Sequence, residues 1–247
     1  MHDETTSIRL YCFPFAGGSA KSYQSWARLL PPGVEVVPVE LPGRGKRFGE
    51  PLLGNYSALV ESLCDEVAED LDRHGARGRP ARYAGFGHSA GATWNFAVCQ
   101  RLSERLRQPP VHCFFSAGTP PHIGKKPRAG LSDAALLQEL AKLAGTPPEV
   151  LQEPELLQLF LPVIRADLAA YEQSQAEPAR RLDCPFTLFA ASADEISPQS
   201  VWSWGEYSSR PVRKVLLQGD HFSILHAPAE MIKRMAQDLA PLLASAV

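Results

Sequence analysis

The pentapeptide Gly87-His88-Ser89-Ala90-Gly91 carries the clearest chemistry in the sequence. It fits G-x-S-x-G, a pattern in which a serine sits on a sharp turn between a strand and a helix. Composition alone would produce the pattern in roughly one chain in ten of this length, so the flanks decide its weight. Arg82-Tyr83-Ala84-Gly85-Phe86 reads as a strand running into it, and Ala90 to Arg107 as a helix running out. Such a turn holds Ser89 in strained backbone geometry with its Oγ exposed above a sheet. Side chains at positions 87 and 91 would collide with neighbouring backbone. The Ala90 N–H then lies at a helix start, where free donors and the helix dipole favour an oxyanion.

A serine hydroxyl is a poor nucleophile without a base, and the chain offers seven histidines. His221, in Gln218-Gly219-Asp220-His221-Phe222, follows the last strand-like run and completes the order Ser, acid, His that goes with this elbow. The others fit the role less well. His2 lies in the polar N-terminus, His74 ends a helix, and His88 sits inside the elbow directed away from Ser89. His112 begins a strand, His122 lies in a loop, and His226 precedes the last helix. The third member must orient the imidazole and stabilise its protonated form. Asp194 follows the strand-like run Phe186–Ala191 and fits that role. Glu195 is the nearest competitor. Asp220 comes next, although as the direct neighbour of His221 it would reach the far ring nitrogen awkwardly. A second oxyanion donor is expected from the loop Pro14-Phe15-Ala16-Gly17-Gly18-Ser19, at the Ala16 N–H or, one residue earlier, at Phe15. No Lys-Ser/Thr pair and no G-x-G-x-x-G accompany these glycines, which argues against a phosphate loop.

Short β-rich runs supply the strands that must position these residues: Ile8–Phe13, Val34–Val39, Arg82–Phe86, Val111–Ser116, Phe186–Ala191 and Arg213–Leu217. Between them lie helical patterns at Tyr23–Leu30, Ser57–His74, Ala90–Arg107 and Pro228–Ala244. In the second, Leu59, Leu63, Val67 and Leu71 form an i, i+4 stripe. Alternation of this kind predicts a mostly parallel, buried sheet flanked by helices, an α/β fold. From Pro120 to Cys184 the strand signal stops. Helical patterns appear instead at Ser132–Leu143, Pro148–Leu151, Glu155–Phe160 and Pro162–Gln175. A helical insertion at about residues 120–184 reads as a lid over the carboxyl edge of the sheet, where ligands of open α/β sheets bind.

The 247 residues are 45% hydrophobic and 21% charged, ordinary usage for a single globular domain spanning residues 1–247. The net charge of −2 gives no global attraction to nucleic acid or to an anionic membrane. No basic-then-apolar leader and no run of 18 apolar residues occurs, so a cytoplasmic protein with no membrane span is expected. Five scattered cysteines without a C-x-x-C pair suit buried thiols better than disulfides. No metal-ligand spacing is visible; His221, His226 and Asp220 are too few for a zinc site, and no cofactor is called for.

Taken together, these residues resemble the stand-alone type II thioesterases of polyketide and nonribosomal peptide synthesis, within the α/β-hydrolases. The resemblance covers essentially the whole chain. It rests on Leu10-Tyr11-Cys12-Phe13-Pro14-Phe15-Ala16-Gly17-Gly18-Ser19, on Leu41-Pro42-Gly43-Arg44-Gly45-Lys46-Arg47, and on the elbow. It continues through Gly145-Thr146-Pro147-Pro148-Glu149-Val150-Leu151, Leu161-Pro162-Val163-Ile164-Arg165-Ala166-Asp167 and Gly219-Asp220-His221-Phe222. The chain departs from the family at Ala191-Ser192-Ala193, where members often carry a glycine before the acid. The resemblance implies hydrolysis of acyl or aminoacyl thioesters from the phosphopantetheine arm of acyl or peptidyl carrier proteins, which edits stalled or misprimed chains. It implies a carrier protein as partner, no nucleic acid and no membrane; a monomer is expected. Lys125, Lys126 and Arg128, or Arg44, Lys46 and Arg47, could meet an acidic carrier, but charge runs are more often solvated loops. Trp94, Trp204 and Phe222 could line a pocket, although aromatics at such spacings are more often core. An ordinary carboxylesterase or lipase, an acyltransferase, and a non-catalytic binding protein on the same scaffold are the competing readings.

Overall fold

In the computed structural model, which describes residues 7–75, 80–143, 154–176 and 180–244, six strands form one wholly parallel sheet. They are β1 (Ile8–Phe13), β2 (Val34–Pro38), β3 (Tyr83–His88), β4 (His112–Ser116), β5 (Phe186–Ala191) and β6 (Val212–Leu217), in the order β2-β1-β3-β4-β5-β6. Strands β1, β3, β4 and β5 are buried throughout, as expected of parallel strands covered by helices on both faces. Because every pairing is parallel, all strands end at one edge. The loops after β1, β3, β5 and β6, which hold Phe15–Gly18, Ser89, Asp194 and His221, therefore share that edge.

Helices α1 (Tyr56–Arg73) and α2 (Ala90–Leu106) pack on one face, and the other face is covered by a 3-10 helix, Ala20–Arg28, and the last helix, Ala229–Ala244. In α1 the stripe Leu59, Leu63, Val67 and Leu71 is fully buried, at about 1.5–3 kcal/mol of hydrophobic stabilisation per side chain. Asn55 caps that helix by accepting from the Ala58 N–H at 3.0 Å. The expected helix at Tyr23–Leu30 is instead 3-10 and starts earlier. Its two buried aromatics, Tyr23 and Trp26, are three residues apart, the period at which a 3-10 helix eclipses its side chains.

Between β4 and β5 the described residues contain helix α3 (Asp133–Leu143) and helix α4 (Pro154–Gln173). The predicted turn of helix at Pro148–Leu151 falls outside the described residues. The two predicted helices Glu155–Phe160 and Pro162–Gln175 are one helix, which runs through Pro162. Proline there removes one backbone donor, yet the apolar stripe continues past it: Leu161, Ile164 and Leu168 pack with Leu136 of α3. After β5 come two short helices, α5 (Pro198–Trp202) and α6 (Ser223–His226), before the terminal helix α7 (Ala229–Ala244). All five cysteines are free and buried, and no described helix is long and apolar enough to cross a membrane.

At the start of β4, away from the loop edge, His112 is buried. Its Nε2–H donates to Thr187 Oγ1 at 2.9 Å, and the Thr187 hydroxyl donates to Asp238 Oδ2 at 2.7 Å. Burial, and then the Arg213 guanidinium that pairs with Asp238, push the His112 imidazole down to about 4. Between pH 6.5 and 4 the unfolded chain takes up a proton here that the folded chain refuses. Stability present above pH 6.5 is thus lost as pH falls toward 4. A His112→Gln variant is expected to lose about 2 kcal/mol less than wild type between pH 7 and pH 4.5, read from urea midpoints.

Candidate active site

Ser89 has φ 55° and ψ −121°, a conformation that side chains rarely adopt. The surrounding glycines make it possible. A Cβ on Gly87 would lie 2.0 Å from the Gly91 carbonyl oxygen, and one on Gly91 would lie 2.3 Å from that of Phe13. Both collisions are with backbone, as the motif required. A third glycine escaped the sequence reading: a Cβ on Gly118, just past β4, would lie 2.5 Å from the Ser89 carbonyl oxygen. Its signal was only a glycine two residues beyond a strand end. The Ser89 N–H donates to the Ser116 carbonyl at 2.8 Å and prolongs the β3–β4 ladder into the turn. Ser89 is the N-cap of α2, but its side chain caps nothing. The hydroxyl is committed elsewhere.

It lies 3.1 Å from His221 Nε2, and His221 Nδ1 is 2.7 Å from Asp194 Oδ2. The His221 and Asp194 side chains are only 5% and 1% exposed. The Ile196 N–H donates to Asp194 Oδ1 at 3.0 Å, so both carboxylate oxygens are occupied. Glu195 points elsewhere and accepts from Arg128 Nη2 at 2.7 Å. Asp220 accepts from the Phe222 N–H at 3.1 Å. Ser89, His221 and Asp194 are thus brought together, and neither rival carboxylate reaches the ring.

His88 packs behind His221, with ring centroids 5.0 Å apart, and is fully buried. Its Nδ1 is 3.0 Å from Ser116 Oγ. Burial, followed by the proximity of His221 and His226, holds its pKa well below the ordinary value. A neutral ring there spares His221 a like charge whenever His221 takes up a proton.

A cleft of about 330 Å³ opens at Ser89, within the range of small-ligand sites. Phe15–Ser19, Ala90, His221 and Phe222 line its floor, while Leu140, Phe160, Ile164, Leu168 and Tyr171 from α3 and α4 form an apolar roof. Apart from Ile164, which stands in the quoted Leu161–Asp167 string, the roof residues were not singled out in the sequence, because their apolar spacing reads equally well as helix packing. Phe222 faces the cleft. Trp94 and Trp204 lie in the core instead, with the Trp204 indole N–H donating to the Gly118 carbonyl at 3.0 Å. Ala16 and Ala90 both border the cleft beside Ser89, as does Phe15.

The basic residues divide differently from a solvated run. Lys125 is buried and donates to the Thr119 carbonyl and hydroxyl, both at 2.7 Å, and to the Pro120 carbonyl at 3.0 Å. Its ammonium also sits 4.9 Å above the Tyr171 ring, and burial pushes its pKa down to about 7. Lys125 therefore cannot meet a partner. Arg128 is mostly covered and bridges Glu139 and Glu195, while Lys126 exposes its head beside Glu139. Arg44 is buried against Asp167, and Arg47 is mostly covered by Glu50 and Glu66. Lys46 is exposed and paired with Glu66.

A thioesterase domain model matches residues 8–239. The chain belongs to the thioesterase domain family. It is 32% identical over 245 residues to the gramicidin S biosynthesis protein GrsT of Aneurinibacillus migulanus, covering 98% of this chain and 93% of that relative. Among solved structures it is similar to the RedJ thioesterase of the prodiginine pathway in Streptomyces coelicolor. That match has a TM-score of 0.86 and 34% identity, covering 96% of this chain and 92% of RedJ. It is also similar to the type II thioesterase BorB of the borrelidin cluster, with a TM-score of 0.79 and 30% identity over 95% and 93% of the two chains. These neighbours place the sheet and its helices in the α/β-hydrolase fold of thioesterases.

The two adjacent acids can be separated by experiment. Asp194→Asn is expected to lower kcat by about 10⁴, because an amide favours the wrong imidazole tautomer. Glu195→Gln, at a residue that lines the cleft but is bonded to Arg128 and not to His221, is expected to stay within about 3-fold of wild type. Steady-state turnover of a thioester substrate checks both. The reverse pattern would move the acid by one residue.

Proposed function

We propose that this chain is a type II thioesterase that releases acyl or aminoacyl groups from the phosphopantetheine arm of carrier proteins, and so edits polyketide or nonribosomal peptide assembly. The observation that carries the reading is the unbroken hydrogen-bond chain from Ser89 through His221 to Asp194, beneath a mostly apolar cleft. The family membership and the biosynthetic settings of the relatives support the substrate class.

The chemistry proceeds in two halves. Ser89 Oγ attacks the thioester carbonyl while His221 Nε2 takes its proton, and Asp194 stabilises the resulting imidazolium. Negative charge collects on the carbonyl oxygen. The Ala90 N–H at the start of α2 and the Ala16 N–H, with Phe15 as the alternative one residue away, would receive it. The tetrahedral intermediate expels the pantetheine thiolate, which takes the proton from His221 and leaves an acyl-serine. Water then attacks that ester, His221 accepts a proton from it, and collapse returns the proton to Ser89 as the free acid departs. Every step uses groups of the chain, the substrate and water.

The helical segment at about 120–184 acts in this reading as a lid, and its roof residues select the acyl group. The carrier protein is the partner, and the chain works as a single domain and a monomer.

Ser89→Ala is expected to lower kcat by about 10⁴ or more on carrier-bound thioesters. A panel of carrier-bound acyl and aminoacyl groups of graded length, run beside simple esters of the same acids and analysed by mass spectrometry, tests the substrate class. Free acid released preferentially from loaded carrier supports it. Preference for simple esters with no turnover of loaded carrier would replace it with an esterase, and transfer to an acceptor other than water would replace it with an acyltransferase.

A further inference from the structure

Asp167 occupies a place where a carboxylate is costly. It lies on the apolar stripe of α4 between Ile164 and Leu168, and its side chain is 3% exposed. Three donors meet it. Arg44 Nη2 donates to Oδ1 at 2.6 Å, Arg44 Nη1 to Oδ2 at 2.7 Å, and the Gly17 backbone N–H also to Oδ2 at 2.7 Å. Arg44 Nη1 donates in addition to the Gly18 carbonyl at 2.9 Å. Two segments distant in sequence thus grip neighbouring residues of the loop after β1: helix α4 holds Gly17 and the Leu41–Gly45 loop holds Gly18.

Those residues belong to a tight turn. The Gly18 N–H donates to the Phe15 carbonyl at 2.8 Å, and Gly17 has φ +77° in the third position, as in a type II turn. Type I and type II turns differ by a flip of their central peptide, here the one joining Ala16 to Gly17. Asp167 holds the N–H of that peptide. Ile164, one turn earlier on α4, closes the other side, since a Cβ on Gly17 would lie 2.6 Å from its Cγ1. The turn is therefore held in one of its two states by a helix that also roofs the cleft.

We infer that Asp167, fixed by Arg44, is a positioning residue: by holding the Gly17 N–H it keeps the Ala16–Gly17 peptide from flipping and so fixes the shape of the Phe15–Gly18 turn that carries Ala16 beside Ser89, and it does so only while α4 is seated over the cleft. The inference rests on the proposed Ser89 chemistry and adds a control over it. Oxyanion stabilisation becomes conditional on the roof being in place, so an unroofed cleft open to water is also a weak catalyst.

A buried ion pair replaced by apolar residues of similar size often leaves stability intact, which separates the two roles. The test compares wild type, Arg44→Met/Asp167→Leu and Asp167→Asn on a butyryl thioester of N-acetylcysteamine, recording kcat, KM and Tm. In the double variant the Gly17 N–H loses its acceptor. The expected result is a Tm lower by a few degrees at most, since the Gly17 N–H and the Gly18 carbonyl also lose partners, with a kcat lower by about 10- to 100-fold and a KM within about 3-fold, because both acylation and deacylation pass through an oxyanion. Asp167→Asn keeps the shape of the side chain and guards against a double variant that does not fold; it is expected to show the same split at a kcat about 3- to 10-fold lower. A kcat that stays at the wild-type level in folded variants, or that falls only in step with Tm, overturns the inference, as does a loss confined to KM. Ser89→Ala is assayed alongside. If it retains activity, the underlying reading fails. If it is inactive while Arg44→Met/Asp167→Leu works normally, the positioning role alone fails.

Discussion

Everything at this site depends on backbone approaching backbone at the end of β3. The turn carrying Ser89 is strained, and it exists because three glycines let neighbouring chain come within distances that no Cβ would permit. The strain is offset by its setting. Strand β3 is a central strand, paired on both sides and buried along its whole length, and α2 leaves directly from the turn with its first four residues buried. A rigid parallel sheet thus holds a conformation that an isolated segment would relax. That conformation also withdraws the Ser89 side chain from its usual duty as a helix cap and presents it to His221.

Charge around this turn is arranged by satisfying each buried carboxylate and keeping nearby bases neutral. Asp194 has a partner on each oxygen, and Asp167 has three donors. His88 lies against His221 yet is held neutral by burial, so the imidazole facing Ser89 has no competing cation at its back. Lys125 is handled in a third way, with three oxygen acceptors and an aromatic face around its ammonium. Polar groups this deep are tolerable because nearly all are paired, although Arg44 Nε and His88 Nε2 have no partner among the described residues.

Much of this was legible because local pattern and tertiary outcome agree. Parallel buried strands read as short continuous apolar runs, and all six were placed to within two residues. The elbow was legible because its residue types are dictated by sterics within a few residues of Ser89. Differences arose where packing overrode a local rule. Pro162 looked like a helix boundary but lies inside α4, whose stripe packs on α3. Lys125 and Arg44 looked like surface charge, since a basic residue in a loop with prolines or glycines gives no sign of a buried acceptor elsewhere in the chain.

The sequence by itself determined the strand–turn–helix at Ser89, the parallel sheet, and the edge at which Ser89, Asp194 and His221 must emerge. Periodicity and glycine sterics act over a few residues and leave their record in residue type. Only the tertiary structure decided which carboxylate faces His221, which basic residues are buried, and that Asp167 of α4 holds the turn after β1. Those choices are made by hydrogen bonds between residues 27 to 150 positions apart. An aspartate looks the same in sequence whether it caps its own loop or grips another.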